Sequence, residues 1–112
     1  MKKIIATFLL SIFFCSSGMS TTTDGNGFLE GLDSNNKMQY QFLIGYVAGM
    51  YDIYEDIDPS LSKCLGSKVK MTQIVDAVAI YLRKNPQIRH YSISEIYPSA
   101  IKEIFNCKRW FE

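Results

Sequence analysis

The sequence predicts a small all-α domain: a bundle of three main helices plus a short N-terminal helix, stapled by one disulfide. Apolar residues recur at spacings of three and four along several segments, which is the period of an amphipathic helix. No stretch longer than a few residues alternates as a β-strand does. Two cysteines, Cys64 and Cys107, follow an N-terminal segment that is typical of an export signal.

Residues 1–20 have the pattern of a secretory signal peptide. Two lysines precede an apolar run from Ile4 to Phe14, and small residues follow up to Ser20. This run is too short to cross a bilayer, which takes about 20 apolar residues. We therefore expect cleavage after Ser20 and a periplasmic mature protein. A retained anchor helix and lipidation at Cys15 are the two alternatives.

The remaining chain has the length of one small domain. We assign residues 21–27 to a flexible N-terminus and residues 28–112 to the helical domain. The whole chain has 12 Lys and Arg residues against 11 Asp and Glu residues, and loss of the two signal lysines leaves it close to neutral. Nucleic acids and anionic membranes both need clustered positive charge, so we expect neither as a partner of the mature protein.

Cys64 and Cys107 are the cysteines left after signal cleavage. In an oxidising compartment, two cysteines allow a single intramolecular pairing. In the chain-entropy account, a loop of this length is worth roughly 4 kcal/mol, which is comparable to the whole stability of a small domain. An intermolecular bridge and a free pair of thiols are the other possibilities.

The first long helix is predicted over Lys37–Glu55, after a short helical turn around Phe28 to Leu32. A glycine inside a helix costs about 1 kcal/mol relative to alanine. Gly45 and Gly49 therefore indicate close approach of another backbone, unless the pair arose by chance. The predicted buried stripe consists of Met38, Phe42, Tyr46, Gly49 or Met50, and Ile53.

Two further helices are predicted after a loop. The segment Ile57–Lys70 contains proline, glycine and three serines, and it is predicted to be a loop that carries Cys64. The next helix spans Met71–Lys84 and ends before Asn85-Pro86, because proline excludes the preceding residue from the helical region. The last helix spans roughly Ser92–Asn106.

Nothing in the sequence predicts an enzyme. His90 is the only histidine, and a Cys–His nucleophile would need a free thiolate beside it. The spacing of zinc ligands and the glycine-rich loop of phosphate sites are absent from the sequence. The acidic residues near position 55 lack the central glycine of a calcium loop. We expect no catalytic activity, no cofactor and no metal.

The segment YDIYEDID is the candidate binding surface. Tyrosine is enriched in protein interfaces, and carboxylates beside it would steer a basic partner. The alternative is that one or both tyrosines belong to the core. The candidate partner contacts are Tyr51, Asp52, Tyr54, Glu55, Asp56 and Asp58.

Several short motifs occur in order over residues 28–107. They are Gly45-Tyr46-Val47-Ala48-Gly49, Cys64, Val69, Gln73, Tyr81-Leu82, Asn85-Pro86, Arg89-His90, Ala100-Ile101 and Cys107. In order and spacing they resemble the Rap/Tai-type immunity proteins of bacterial type VI secretion. Many of those proteins carry a further N-terminal cysteine pair, with one cysteine near the position of Leu43, and this chain lacks it.

The resemblance implies a small helical periplasmic protein, often a homodimer. Such a protein binds a peptidoglycan amidase effector and occludes its active-site groove. An alternative function is a small periplasmic acid-stress chaperone of the single-disulfide helical type, since many carboxylates over a thin core could loosen the fold as pH falls.

Overall fold

The structure is a computed structural model and describes residues 23–107. The expected signal peptide lies outside these residues. Within them, the structure has no β-strand, and the all-α prediction is confirmed. The elements are α1 (Gly25–Asp33), α2 (Lys37–Ile57), α3 (Pro59–Leu65), α4 (Met71–Lys84), a 3-10 turn (Pro86–Ile88) and α5 (Ile93–Ile104).

α1 is longer than the predicted turn and begins at Gly25, within the stretch that we expected to be flexible. Asp24 caps it, because the Gly27 N–H donates to the Asp24 Oδ1 at 2.7 Å. The Ile93 N–H also donates to the Thr23 carbonyl at 2.9 Å. This second bond joins the start of α1 to the start of α5, a contact that the local sequence pattern does not reveal.

The predicted loop over Ile57–Lys70 is wrong in its first half, because α3 occupies Pro59–Leu65. Proline is well suited to the first turn of a helix, where its missing N–H would have no intrahelical partner. Leu61 and Leu65 lie one turn apart and are both buried. Gly66 then ends the helix with a φ of 76°, which glycine adopts without steric cost. Proline and glycine thus mark the two ends of a short helix.

The predicted buried stripe of α2 is wrong for Met38, Phe42 and Ile53. Leu43 and Val47 are the buried residues of this helix. Tyr46 and Met50 are half-buried against the core. The other large apolar members of the stripe are exposed: Met38 by 83%, Phe42 by 62% and Ile53 by 53%. α2 has apolar residues on two faces, and periodicity alone does not tell which of them meets the core.

The core is formed mainly by α4 and α5, with α1, α2 and α3 packed around them. α4 buries Ile74, Val75, Val78 and Leu82 without any exposed surface. On α5, Ile93 and Ile101 have no exposed surface, and Tyr97 is 1% exposed. A bidentate ion pair between Asp33 and Arg83 fastens the end of α1 to the end of α4, with Arg83 Nη2 at 2.9 Å from Asp33 Oδ1.

Candidate functional site

The candidate segment lies where α2 ends and α3 begins. Asp52, Glu55 and Asp56 are exposed on the last turns of α2, and we call them the acidic end of α2. Asp58 is half-buried, and it is both the last cap of α2 and the first cap of α3. Within residues 23–107, none of these carboxylates has an ion-pair partner.

The acidic end of α2 lies at the end of the helix where the dipole is negative. The C-terminus of a helix carries partial negative charge, so carboxylates there are unfavourable and cations are favourable. The last turn of α2 contains no basic residue. The helix dipole therefore does not favour these acids at their position.

The two candidate tyrosines point toward the core. Tyr54 donates its hydroxyl to the Ser94 carbonyl at 2.8 Å, and its ring stacks on Tyr97 with centroids 5.3 Å apart. Tyr51 is half-buried and packs against the core. The structure thus separates the candidate set into carboxylates, which are exposed except for the half-buried Asp58, and tyrosines that pack inward. Tyr54 makes a hydrogen bond within the fold.

Pro98 explains why Tyr54 is held there. Pro98 lies inside α5 and has no N–H, so the Ser94 carbonyl, four residues earlier, lacks its usual helical donor. The Tyr54 hydroxyl supplies the missing hydrogen bond. Burial raises the pKa of Tyr97 well above that of an ordinary tyrosine, and the nearby Tyr51 and Tyr54 add to this effect. Tyr97 is therefore a neutral packing group at neutral pH.

Cys64 and Cys107 form an intramolecular disulfide, as predicted, with their Cα atoms 5.6 Å apart. Cys64 belongs to α3, and Cys107 follows α5 and is fully buried. The bond therefore fastens the helix next to the acidic end of α2 to the last described residue of the chain. His90 is exposed just before α5 and contacts the Tyr91 ring, with centroids 4.2 Å apart.

A second exposed surface lies on the outer side of α2, and Met38, Phe42 and Ile53, which the sequence predicts to be buried, belong to it. We call it the α2 outer face, and it includes the exposed Ile57 (68% exposed). A Cβ built on Gly45 or Gly49 would meet no atom within 4 Å. No backbone of this chain, within the described residues, therefore approaches the two glycines. The face consists of Met38, Phe42, Gly45, Gly49, Ile53 and Ile57.

A pattern in the sequence does indicate the exposed α2 outer face. Leu43, Val47, Met50 and Tyr54 form a second series with helical spacing, and it is this series that packs inward. A helix at the surface of a small domain has one face for the core. Two apolar series on one helix therefore predict an apolar surface that faces away from the fold.

The described surface also has concave regions. A groove of about 600 Å³ runs between α1 and the first half of α2, and Asp24, Glu30, Gln39 and Phe42 are among its lining residues. A smaller hollow of about 230 Å³ lies beside Tyr81 and Ile96. In the described part of the chain, no group of three or more His, Cys, Asp or Glu side chains is arranged to hold a metal ion.

A comparison with protein-family models matches residues 13–107 to the family described as Rap1a immunity proteins. The chain belongs to the Rap1a immunity protein family. Comparisons with curated proteins and with solved structures gave no significant match. The Rap1a match spans both cysteines, the α2 outer face and the acidic end of α2.

Membership in the Rap1a immunity family indicates the class of partner. An immunity protein acts by binding a cognate effector protein, and this family points to effectors of type VI secretion. No helix among residues 23–107 is both long and apolar enough to cross a membrane.

Proposed function

We propose that this protein is a periplasmic immunity protein that binds a type VI secretion peptidoglycan amidase effector and occludes its active-site groove. The observation that carries the proposal is the Rap1a family match over nearly the whole described domain. The protein would act by binding and would not be an enzyme. The export signal predicted over residues 1–20 supports a periplasmic site of action.

The acidic end of α2 supports the choice of contact surface. Its carboxylates are exposed, have no ion-pair partner among residues 23–107 and oppose the helix dipole. Charged groups at the rim of an interface mainly raise the association rate, through long-range attraction. We propose that Asp52, Glu55, Asp56 and Asp58 steer a basic rim of the effector, and that Tyr51 contributes its exposed edge.

The disulfide supports this role by fixing the shape of the neighbouring surface. α3 starts directly after Asp58 and is tied through Cys64 to the end of the chain. A surface that is already ordered loses less conformational entropy when a partner binds.

We also propose that the protein acts as a homodimer, which the family resemblance implies.

The test is direct binding of the mature protein to the small amidase encoded beside its own gene, together with inhibition of peptidoglycan cleavage. We expect inhibition at a one-to-one ratio of the two chains. Failure to bind at micromolar concentrations would rule out the proposal. Protection of an aggregating client protein at low pH, without amidase binding, would instead favour the chaperone alternative.

Matched charge variants test the contact surface. The double variant Glu55→Gln with Asp56→Asn should slow association about tenfold at low ionic strength, and this difference should shrink as salt is added. The control is Asp76→Asn with Glu103→Gln, which removes the same charge from exposed positions on α4 and α5. Equal association rates for the two double variants would show that the effector binds elsewhere.

A further inference from the structure

We infer that the groove between α1 and the first half of α2 receives one basic side chain, an arginine or a lysine, of the effector protein. The inference rests on the proposed function for the identity of the partner. It gives that partner a second contact, besides the acidic end of α2. The shape of the groove, its charge and its exposed aromatic side chain support the inference.

The groove exists because α1 and α2 touch at one level and diverge at another. A Cβ on Gly31 would lie 3.0 Å from the Leu43 side chain, so the two helices are in contact there. A Cβ on Gly27, one turn earlier, would meet only Asp24 and Thr23 within 4 Å, and neither belongs to α2. The bare backbone of Gly27 therefore forms an open floor. The volume of about 600 Å³ lies within the range of small-molecule sites, about 300–1,000 Å³.

Hydrogen bonds hold the groove in this shape before any partner binds. At its open end the Asp24 carboxylate accepts from the Gly27 N–H at 2.7 Å. At its closed end the Ser34 hydroxyl lies 2.9 Å from the Gln39 Oε1. A site that is already formed loses little conformational entropy when a side chain enters it.

The groove is negatively charged, and no cation of the described chain neutralises it. Asp24 and Glu30 line it, and no lysine, arginine or histidine among residues 23–107 does. Glu30 makes no hydrogen bond or ion pair in this part of the chain, whereas Asp33 on the same turn of α1 is paired with Arg83. One oxygen of Asp24 caps α1, which leaves the other for a ligand.

Phe42 gives the groove an aromatic wall. This residue lines the groove and is nevertheless 62% exposed. The face of an aromatic ring attracts an ammonium or a guanidinium group that lies within about 6 Å of the ring centre. A concave site that combines an aromatic face with carboxylates is therefore suited to a cation.

Other kinds of side chain fit the groove less well. The two carboxylates would repel an acidic side chain. An apolar side chain would remove their water without supplying a hydrogen bond, which costs free energy. A basic side chain forms a charge-assisted pair with Glu30 and lays its aliphatic stem on the Gly27 backbone. Arginine fits best, because its planar guanidinium binds a carboxylate at two points and stacks on an aromatic ring.

Titration with a small probe tests the groove itself. N-acetyl-arginine amide is added to the mature protein while the backbone amides are followed by NMR, and N-acetyl-norleucine amide is the neutral control. We expect the arginine probe alone to shift the Gly27 and Gly31 amides, and we expect Glu30→Gln to abolish these shifts. The absence of a localised shift, or an equal shift with the neutral probe, would overturn the inference.

Binding of the neighbouring amidase by matched variants tests the occupant. Glu30→Gln should weaken binding about tenfold through loss of the charge-assisted pair. Glu103→Gln removes the same charge from an exposed position on α5 and should leave the affinity unchanged. Phe42→Ala should weaken binding several-fold, and Met38→Ala, an exposed position outside the groove, should not. Equal losses for Phe42→Ala and Met38→Ala would place the contact on the α2 outer face and overturn the inference.

A double-mutant cycle identifies the side chain that enters the groove. Each arginine and lysine of the amidase is replaced in turn by alanine, and its binding to the parent is compared with its binding to Glu30→Gln. One of these replacements should lose most of its effect in the Glu30→Gln background, because the pair is already broken. If none of them is coupled to Glu30, the effector does not place a basic side chain there.

The two experiments separate this inference from the proposed function. If the amidase binds the parent and Glu30→Gln equally well, the proposed function stands and the groove is not an effector contact. If the arginine probe enters the groove but the amidase does not bind the parent, the proposed function fails, and the effector is ruled out as the occupant. The groove then remains a site for a basic side chain.

Discussion

The hydrogen bond between Tyr54 and Ser94 gives a sharp test of how this fold accommodates a proline inside a helix. We expect Tyr54→Phe to destabilise the protein, since it removes the 2.8 Å bond to a carbonyl that Pro98 has deprived of its helical donor. The phenylalanine ring can still stack on Tyr97, so the change isolates the hydroxyl. The test compares this cost in two backgrounds.

The magnitude follows from the partly buried position of the bond. A neutral hydrogen bond contributes about 1 kcal/mol, and a buried unsatisfied acceptor costs about 1–3 kcal/mol. Ser94 is half-buried, so water offsets part of the loss. We expect a loss of about 1–2 kcal/mol in the parent. In a Pro98→Ala background the restored N–H bonds to Ser94, and we expect Tyr54→Phe to cost under about 0.5 kcal/mol.

Urea and thermal unfolding of the four proteins in this cycle measure the coupling directly. For a domain of this size, 1 kcal/mol corresponds to about 4–8 °C in Tm. Tyr91→Phe is the control, because Tyr91 is exposed and should tolerate the change. If Tyr54→Phe costs the same with and without Pro98, the hydroxyl does not replace the missing helical donor and the reasoning is refuted.

Two further substitutions test the disulfide and the Asp33–Arg83 ion pair. Cys64→Ser should lower the free energy of unfolding by up to roughly 4 kcal/mol, because the 43-residue separation makes the loop long; a Tm within a degree or two of the parent under oxidising conditions would contradict this. Hydrogen bonding from Arg83 lowers the pKa of Asp33 below 3.8, so the pair's contribution is present above that pH and is lost as pH falls through the lowered pKa. The pair is exposed, so Asp33→Asn should reduce stability only slightly at neutral pH, and the difference from the parent should vanish in acid; a difference that persists in acid would show that the ion pair is not its source.

The sequence predicted best where local signals and packing agree. α4 matches its predicted bounds, Met71–Lys84, because one apolar face is buried and Asn85-Pro86 stops the helix. The disulfide followed from cysteine number and the predicted compartment. α3 was missed because proline and glycine were taken as loop signals, although Pro59 starts a helix and Gly66 ends it.

The sequence-based predictions that failed concern contacts between residues that are far apart in the sequence. Nothing near Tyr54 in the sequence shows that its partner is the Ser94 carbonyl, 40 residues later. The residues around Pro98 likewise do not show which group bonds to the carbonyl that lacks the Pro98 N–H. Met38, Phe42 and Ile53 of the α2 outer face are predicted to be buried because periodicity identifies an apolar face without showing what covers it.

The features of α2 that weaken it lie on the side that its own fold leaves uncovered. Gly45 and Gly49 together cost about 2 kcal/mol of helix stability relative to alanine. The acids at its C-terminal end oppose the dipole, and its apolar outer face meets water. On the inner side of α2, Leu43 and Val47 are its buried residues. Departures from locally favourable sequence are expected at functional sites, where the compensating gain comes from a partner. Replacing both glycines with alanine should therefore raise the Tm, since a Cβ at either position meets no atom within 4 Å, and a Tm no higher than that of the parent would remove this argument.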